Sequence, residues 1–145
     1  MNFESQGQET CYAKVSGYMK ELFGEYAKQH PERPAFGMAM GSAFVNVVIH
    51  PWSKEEATIS VRSYVISGAE LVPGLLEWLL RKNSSMRFGA FGLDTEGNIF
   101  FGHTIVGSTC DKKELQTSIM AVIQTADELD DEIKSQWGGK RADDE

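Results

Sequence analysis

Between Phe36 and Ile66 the hydrophobic pattern has a period of two, broken twice by short turns. Phe36, Met38 and Met40 alternate with Gly37 and Ala39, and Gly41-Ser42 turns the chain. Ala43 to His50 follows, carrying Val45, Val47, Val48 and Ile49. After the turn Pro51-Trp52-Ser53-Lys54-Glu55, a third run from Ala57 to Ile66 carries Ile59, Val61, Tyr64 and Ile66. Residues two apart share one face of a strand, and loops this short join antiparallel neighbours. The segment therefore predicts a three-stranded antiparallel meander, which the rest of the chain must cover.

The flanks change period. Cys11, Val15, Tyr18, Met19, Leu22 and Tyr26 fall at steps of three and four, which predicts an amphipathic helix from about Ser5 to Gln29. Ser5-Gln6-Gly7-Gln8 offers a capping box, with Thr10 a later candidate start, and His30-Pro31 stops the helix. Gly17 and Gly24 lie seven residues apart, on one face, as close approach to a sheet would require. Glu70 to Lys82 predicts a second helix, with Pro73 tolerated in its first turn. Met86 to Leu93 and Asn98 to Val106 predict two further strands around the turn Asp94-Thr95-Glu96-Gly97. Asp111-Lys112-Lys113-Glu114 is a second capping box, in which Asp111 accepts from a first-turn amide and Glu114 reaches back. It opens a helix marked by Leu115, Ile119, Val122, Ala126, Leu129, Ile133 and Trp137, ended by Gly138-Gly139.

The predicted order is α-β-β-β-α-β-β-α. It gives an α+β fold with a five-stranded antiparallel sheet and helices packed on it. One domain spans residues 1–145, with an ordered core of about 8–137 and a frayed tail over 138–145.

The second helix is apolar on more than one face: Leu71, Val72, Leu75, Leu76, Trp78, Leu79 and Leu80. A sheet covers one side of a helix only, so the excess points to a partner surface, such as a second copy of the chain. Leu71, Leu75, Trp78 and Leu79 are the expected interface residues. Phe36, Met38 and Met40 have two readings. They are either the core side of the first strand or an adaptable apolar surface for peptides, and alternation does not say which face is wet.

The formal net charge of −7 argues against a phosphate-backbone binder and against docking on anionic lipid. Most of it lies in residues 111–145, where 10 acids face 5 basic side chains. Asp127, Glu128, Asp130, Asp131 and Glu132 place five acids in six positions. The helical reading makes them a solvated face or, alternatively, a regulatory docking face for a basic partner, led by Asp127, Glu128, Asp130 and Asp131. Their spacing is not that of an EF-hand loop. No apolar run reaches the roughly 18 residues of a membrane span, and Met1 to Gln6 lack the character of a secretion signal, so a cytoplasmic protein is expected.

Chemistry-bearing motifs are sparse. Cys11 and Cys110 form no C-x-x-C pair, and His30, His50 and His103 have no ligand-spaced partner. No glycine-rich phosphate loop of a recognised spacing is present. No metal and no cofactor is expected. One catalytic reading remains, a cysteine-dependent enzyme with Cys110 beside a helix start and His103 as its base.

The order of elements, with Glu70-Leu71-Val72-Pro73-Gly74-Leu75-Leu76-Glu77-Trp78-Leu79-Leu80, then Phe88 to Asp94 and Gly97 to Phe101, resembles the type III secretion chaperone (Tir-chaperone type) and YbjN superfamily over residues 8–137. The run from Phe101 to Asp111 is similar to a YbjN-like family of uncharacterised cyanobacterial proteins. The resemblance implies a small acidic homodimer without enzymatic activity that binds an extended segment of another protein. It also implies dimerisation through the second helix and nearby strands. Nothing in the sequence indicates a secretion system, so no effector is carried over as the client.

Overall fold

A computed structural model describes residues 1–144. Helix α1 (Gln6–Phe23) is capped by Ser5, whose Oγ accepts from Gln8 N at 3.1 Å. Gln8 is buried and completes the start differently from a capping box. Its Oε1 accepts from Glu4 N, while its Nε2 donates to Ile49 O at 2.9 Å, fixing the helix to the sheet. Gly7 makes the close approach: its N–H donates to Lys54 O, and a Cβ there would meet Glu56 N at 2.5 Å. Gly17, expected in that role, faces open space. The helix also ends earlier than His30-Pro31. Gly24, with φ 54°, donates to Lys20 O, and a left-handed glycine closes a helix wherever it falls.

The residues released form a 3-10 turn (Gly24–Tyr26) and a two-residue strand, β1 (Lys28–Gln29). Strands β2 (Ala35–Met40), β3 (Ala43–Pro51) and β4 (Ala57–Ile66) are the meander. After α2 (Pro73–Ser85) come β5 (Ala90–Leu93) and β6 (Ile99–Val106), then α3 (Lys112–Trp137). The sheet is antiparallel with order β1-β2-β3-β4-β6-β5. It has six strands, not five, because β1 pairs with β2 through Lys28↔Gly37 and Gln29↔Phe36. Two polar residues carry no readable alternation, so the sequence does not betray this edge strand.

One core lies between the sheet and the helices. Val45, Val47, Ile49, Ile59, Val61, Ile99 and Phe101 point into it from the strands, Val15 and Met19 from α1, and Leu115, Ile119, Val122 and Ile133 from α3. A register shift between Tyr64 and Ile66 turns both Val65 and Ile66 inward. Helix α3, roughly 39 Å long at 1.5 Å per residue, crosses β3, β4 and β6. Asp111 caps it, accepting from Glu114 N at 2.7 Å; no return bond from Glu114 forms among the described residues. Past α3, Lys140 and Ser67 exchange backbone hydrogen bonds at 2.8 and 2.9 Å, and Glu145, the end of the expected tail, lies outside the described residues. Arg141 then pairs with Asp131 and Asp144.

Candidate functional site

Every helix packs on one face of the sheet. The other face carries no helix among the described residues. Strand register sets its rows. Ala39 pairs with Phe44, and Tyr64 pairs with Phe100, which pairs with Gly92. The next row runs Gly37, Asn46, Arg62, Gly102, Ala90. A third holds Val48, Ser60 and Thr104, and a fourth His50, Thr58 and Val106.

Two glycines hold the aromatic rings against the sheet. A Cβ on Gly37 would meet Phe44 Cζ at 2.8 Å, and one on Gly92 would meet Phe100 Cζ at 2.5 Å. Each ring therefore lies over a neighbouring strand where no side chain stands. Tyr64 meets the Phe100 ring edge-on, with centroids 6.2 Å apart, and the Arg62 guanidinium lies 3.7 Å above the centroid of Phe100. The result is an apolar floor with amide, hydroxyl and guanidinium groups beside it. A groove of about 720 Å³ crosses β1 to β4 here, lined in part by Phe44, Asn46, Val48, Ser60 and Arg62. These residues escape the sequence because each aromatic stands alone in the polar phase of its own strand. The readable signal was that each shares its phase with polar or small residues: Phe44 with Asn46, Tyr64 with Arg62 and Ser60, Phe100 with Gly102.

Phe36 and Met38 bury their side chains in the core. They are 4% and 1% exposed, Phe36 stacked on Tyr12 of α1, leaving only Met40 of that stripe at the surface. The stripe is the core side of its strand.

The α2 residues divide. Leu75 and Leu79, expected at a dimer interface, are 0% and 5% exposed and fill this chain's own core. Trp78 is half-buried between Trp137 and Phe91, at centroid distances of 5.6 and 6.0 Å, with Lys82 Nζ over its ring. The sequence overcounted the partner surface because the Trp137 end of α3 and β5 cover a second side of α2. Leu71, Leu76 and Leu80 remain exposed, Leu80 at 70%.

The acids of α3 do not form one free face. Asp127 Oδ1 accepts from Ser42 N at 2.8 Å and from Ser42 Oγ at 2.6 Å, which closes the β2–β3 turn. Those bonds hold its carboxyl below the usual range. Asp130 is 2% exposed; its Oδ2 shares the single Ser42 hydroxyl proton with Asp127, and its Oδ1 has no partner among the described residues. Burial raises its carboxyl. Asp131 pairs with Arg141 at 2.7 Å, which leaves Glu128 as the exposed member of the four with no side-chain partner among the described residues. Helical periodicity could not show that a distant hairpin turn reaches this side of the helix.

Neither the geometry nor the acidity supports the cysteine reading. Cys110 is buried, its thiol donates to Asp111 O, and burial pushes its pKa up to about 11. A thiol so protonated is a poor nucleophile. His103 packs edge-on against Phe88, and no hydrogen bond joins it to Cys110 among the described residues. Among those residues no group of three or more His, Cys, Asp or Glu is placed to hold a metal. Among the described residues no helix is long and apolar enough to cross a membrane.

The family model described as T3SS (YopN, CesT) and YbjN peptide-binding chaperone 1 matches residues 9–145. The chain belongs to this family. The fold agrees with that membership. A chain in the crystal structure of the ExsC-ExsE complex superposes with a TM-score of 0.65 at 10% identity, covering 89% of this chain and 96% of that one. A chain in the HopA1-SchA chaperone-effector complex gives 0.63 at 9% identity, covering 85% and 96%. The structure of the Yersinia pestis type III secretion chaperone SycH, in complex with a stable fragment of YscM2, gives 0.55 at 15% identity, covering 82% and 98%. At such identities the likeness is one of fold. No curated protein matches the chain.

Proposed function

We propose that this peptide-binding chaperone holds an extended client segment across the uncovered face of its sheet, and that it works as a homodimer joined through α2. The observation that carries the first part is the aromatic floor. Phe44 and Tyr64 present exposed apolar area, Phe100 lies beside them under Arg62, and the glycines beneath Phe44 and Phe100 fix the pose of those two rings. Polar partners for a bound backbone, Asn46, Ser60 and Arg62, stand in the adjacent rows. Face docking is favoured over strand addition at β5. The Asn83 side chain already pairs with Phe91 there, accepting from Phe91 N at 2.7 Å and donating to Phe91 O at 3.3 Å.

The second part rests on Leu76 and Leu80 of α2, with Leu71 just before it, exposed apolar side chains on a helix whose Leu75, Trp78 and Leu79 are taken by the chain's own packing. No chemistry at the site requires catalysis. Holding a segment extended needs apolar contact and backbone hydrogen bonds only. The test is to tag the chain, trim what co-purifies with it by limited proteolysis, and titrate the protected segment into open-face variants. Phe44→Ala and Tyr64→Ala are expected to weaken binding, with native thermal melts. Undiminished binding by both would move the client elsewhere.

A further inference from the structure

The groove across β1 to β4 carries a charge opposite to that of the chain around it. Lys28, Arg33 and Arg62 line it together with His30 and His50, and no carboxylate does. The whole chain has 14 Lys plus Arg against 21 Asp plus Glu. Arg81, Lys112, Lys134 and Arg141 are each paired with a carboxylate, whereas Lys28, Arg33 and Arg62 enter no ion pair among the described residues. A cleft lined by one sign of charge focuses its field inward, so an anionic group gains most there. Arg62 is also held in place: its guanidinium plane rests on Phe100, which leaves its N–H groups available to an acceptor.

Apolar and cationic groups occupy different parts of this groove: Phe44 and Val48 lie on its floor, and Lys28 and Arg33 stand at its β1 rim. An extended strand separates its side chains in the same way, since successive ones point to opposite sides, so one set can meet the floor while the other meets the rim. Resting on the uncovered face as the client site, we infer that the segment held there is acidic, its carboxylates alternating with apolar side chains. A nucleic acid fits less well. A long polyanion leaving the groove would run over a surface that is net acidic, while a short acidic segment meets only the local cations.

The test uses a fluorescein-labelled extended peptide alternating Glu with Val, the same peptide with Gln or Lys in place of Glu, and an oligothymidylate of matched charge. The Glu peptide is expected to bind at least about tenfold more tightly than the Gln peptide, and to weaken as salt rises. Lys28→Gln with Arg33→Gln changes two exposed side chains and leaves the fold intact. It is expected to lower affinity for the Glu peptide about threefold to tenfold and to spare the Gln peptide. Adding Arg62→Gln deepens the loss. Equal affinity for Glu and Gln peptides, or tightest binding of the Lys peptide, overturns the acidic client and leaves the face as a peptide site. Tighter binding of the oligothymidylate overturns the peptide as occupant. Failure of every probe to bind folded protein overturns the inference together with the reading it rests on.

Discussion

The ring of Phe44 lies over Gly37 of the neighbouring strand, so close that a methyl group on Gly37 would come within 2.8 Å of Phe44 Cζ. Gly37→Val therefore lifts the ring off the sheet. The backbone of Gly37 is not in the left-handed region, and a β-branched residue suits a strand. Thermal stability is expected to stay within about 0.5 kcal/mol of the parent, while affinity for the client segment falls by about 1–2 kcal/mol. Calorimetric titration beside a thermal melt separates the two.

Trp78 and Leu80 share a helix but not a role. Trp78→Ala removes the link between α3, α2 and β5, and is expected to cost about 2–4 kcal/mol in urea unfolding. Leu80→Asp touches no core contact and should cost less than about 0.5 kcal/mol. Light scattering of the parent should give twice the 16.1 kDa of one chain, and Leu80→Asp should return a single-chain mass. A Leu80→Asp protein still at double mass would move the interface off Leu80.

Asp130 sets a pH dependence of known sign. Burial raises its carboxyl in the folded chain, so the folded state binds that proton more tightly than the unfolded one. The charge at Asp130 then costs stability above its folded pKa. That cost disappears as pH falls through the folded value to the unfolded one. Asp130→Asn removes the charge and keeps an acceptor for Ser42. It should raise stability by about 1 kcal/mol at neutral pH, with the gain fading near the ordinary aspartate range of about pH 4. Asp144 works in the opposite direction. Hydrogen bonds from Arg141 and Lys134 lower its carboxyl, so its contribution is present at neutral pH and lost on acidification. Melts of Asp130→Asn and the parent across this range isolate the Asp130 part.

Cys110 should be inert. With its thiol raised to about 11, alkylation by iodoacetamide at neutral pH is expected to be far slower than for free cysteine. Mass spectrometry of the native protein against time reads this directly.

The order of the helices and five of the strands was legible because each carries its own periodicity over several turns or pleats. Lys28–Gln29 was not, since two polar residues at a sheet edge have no pattern to read. The site was less legible than the fold. Apolar alternation marks the covered face, and it drew the peptide-binding reading to Phe36 and Met38, which the core requires. The uncovered face is assembled from single residues of three strands, Phe44, Tyr64 and Phe100, that meet only through register. The same holds for Asp127 and Asp130, whose work is set by Ser42, 85 and 88 residues away. Charge runs announce a solvated face, and tertiary contact reassigned two of these acids to a turn.

The most direct test of the account is an amide chemical-shift map of the protein with the protease-protected client segment bound. Shifts are expected to concentrate on Phe44, Asn46, Arg62, Tyr64 and Phe100, with α1 and the core-facing side of α3 unmoved. Shifts confined to the helices, with those five residues unchanged, would contradict it.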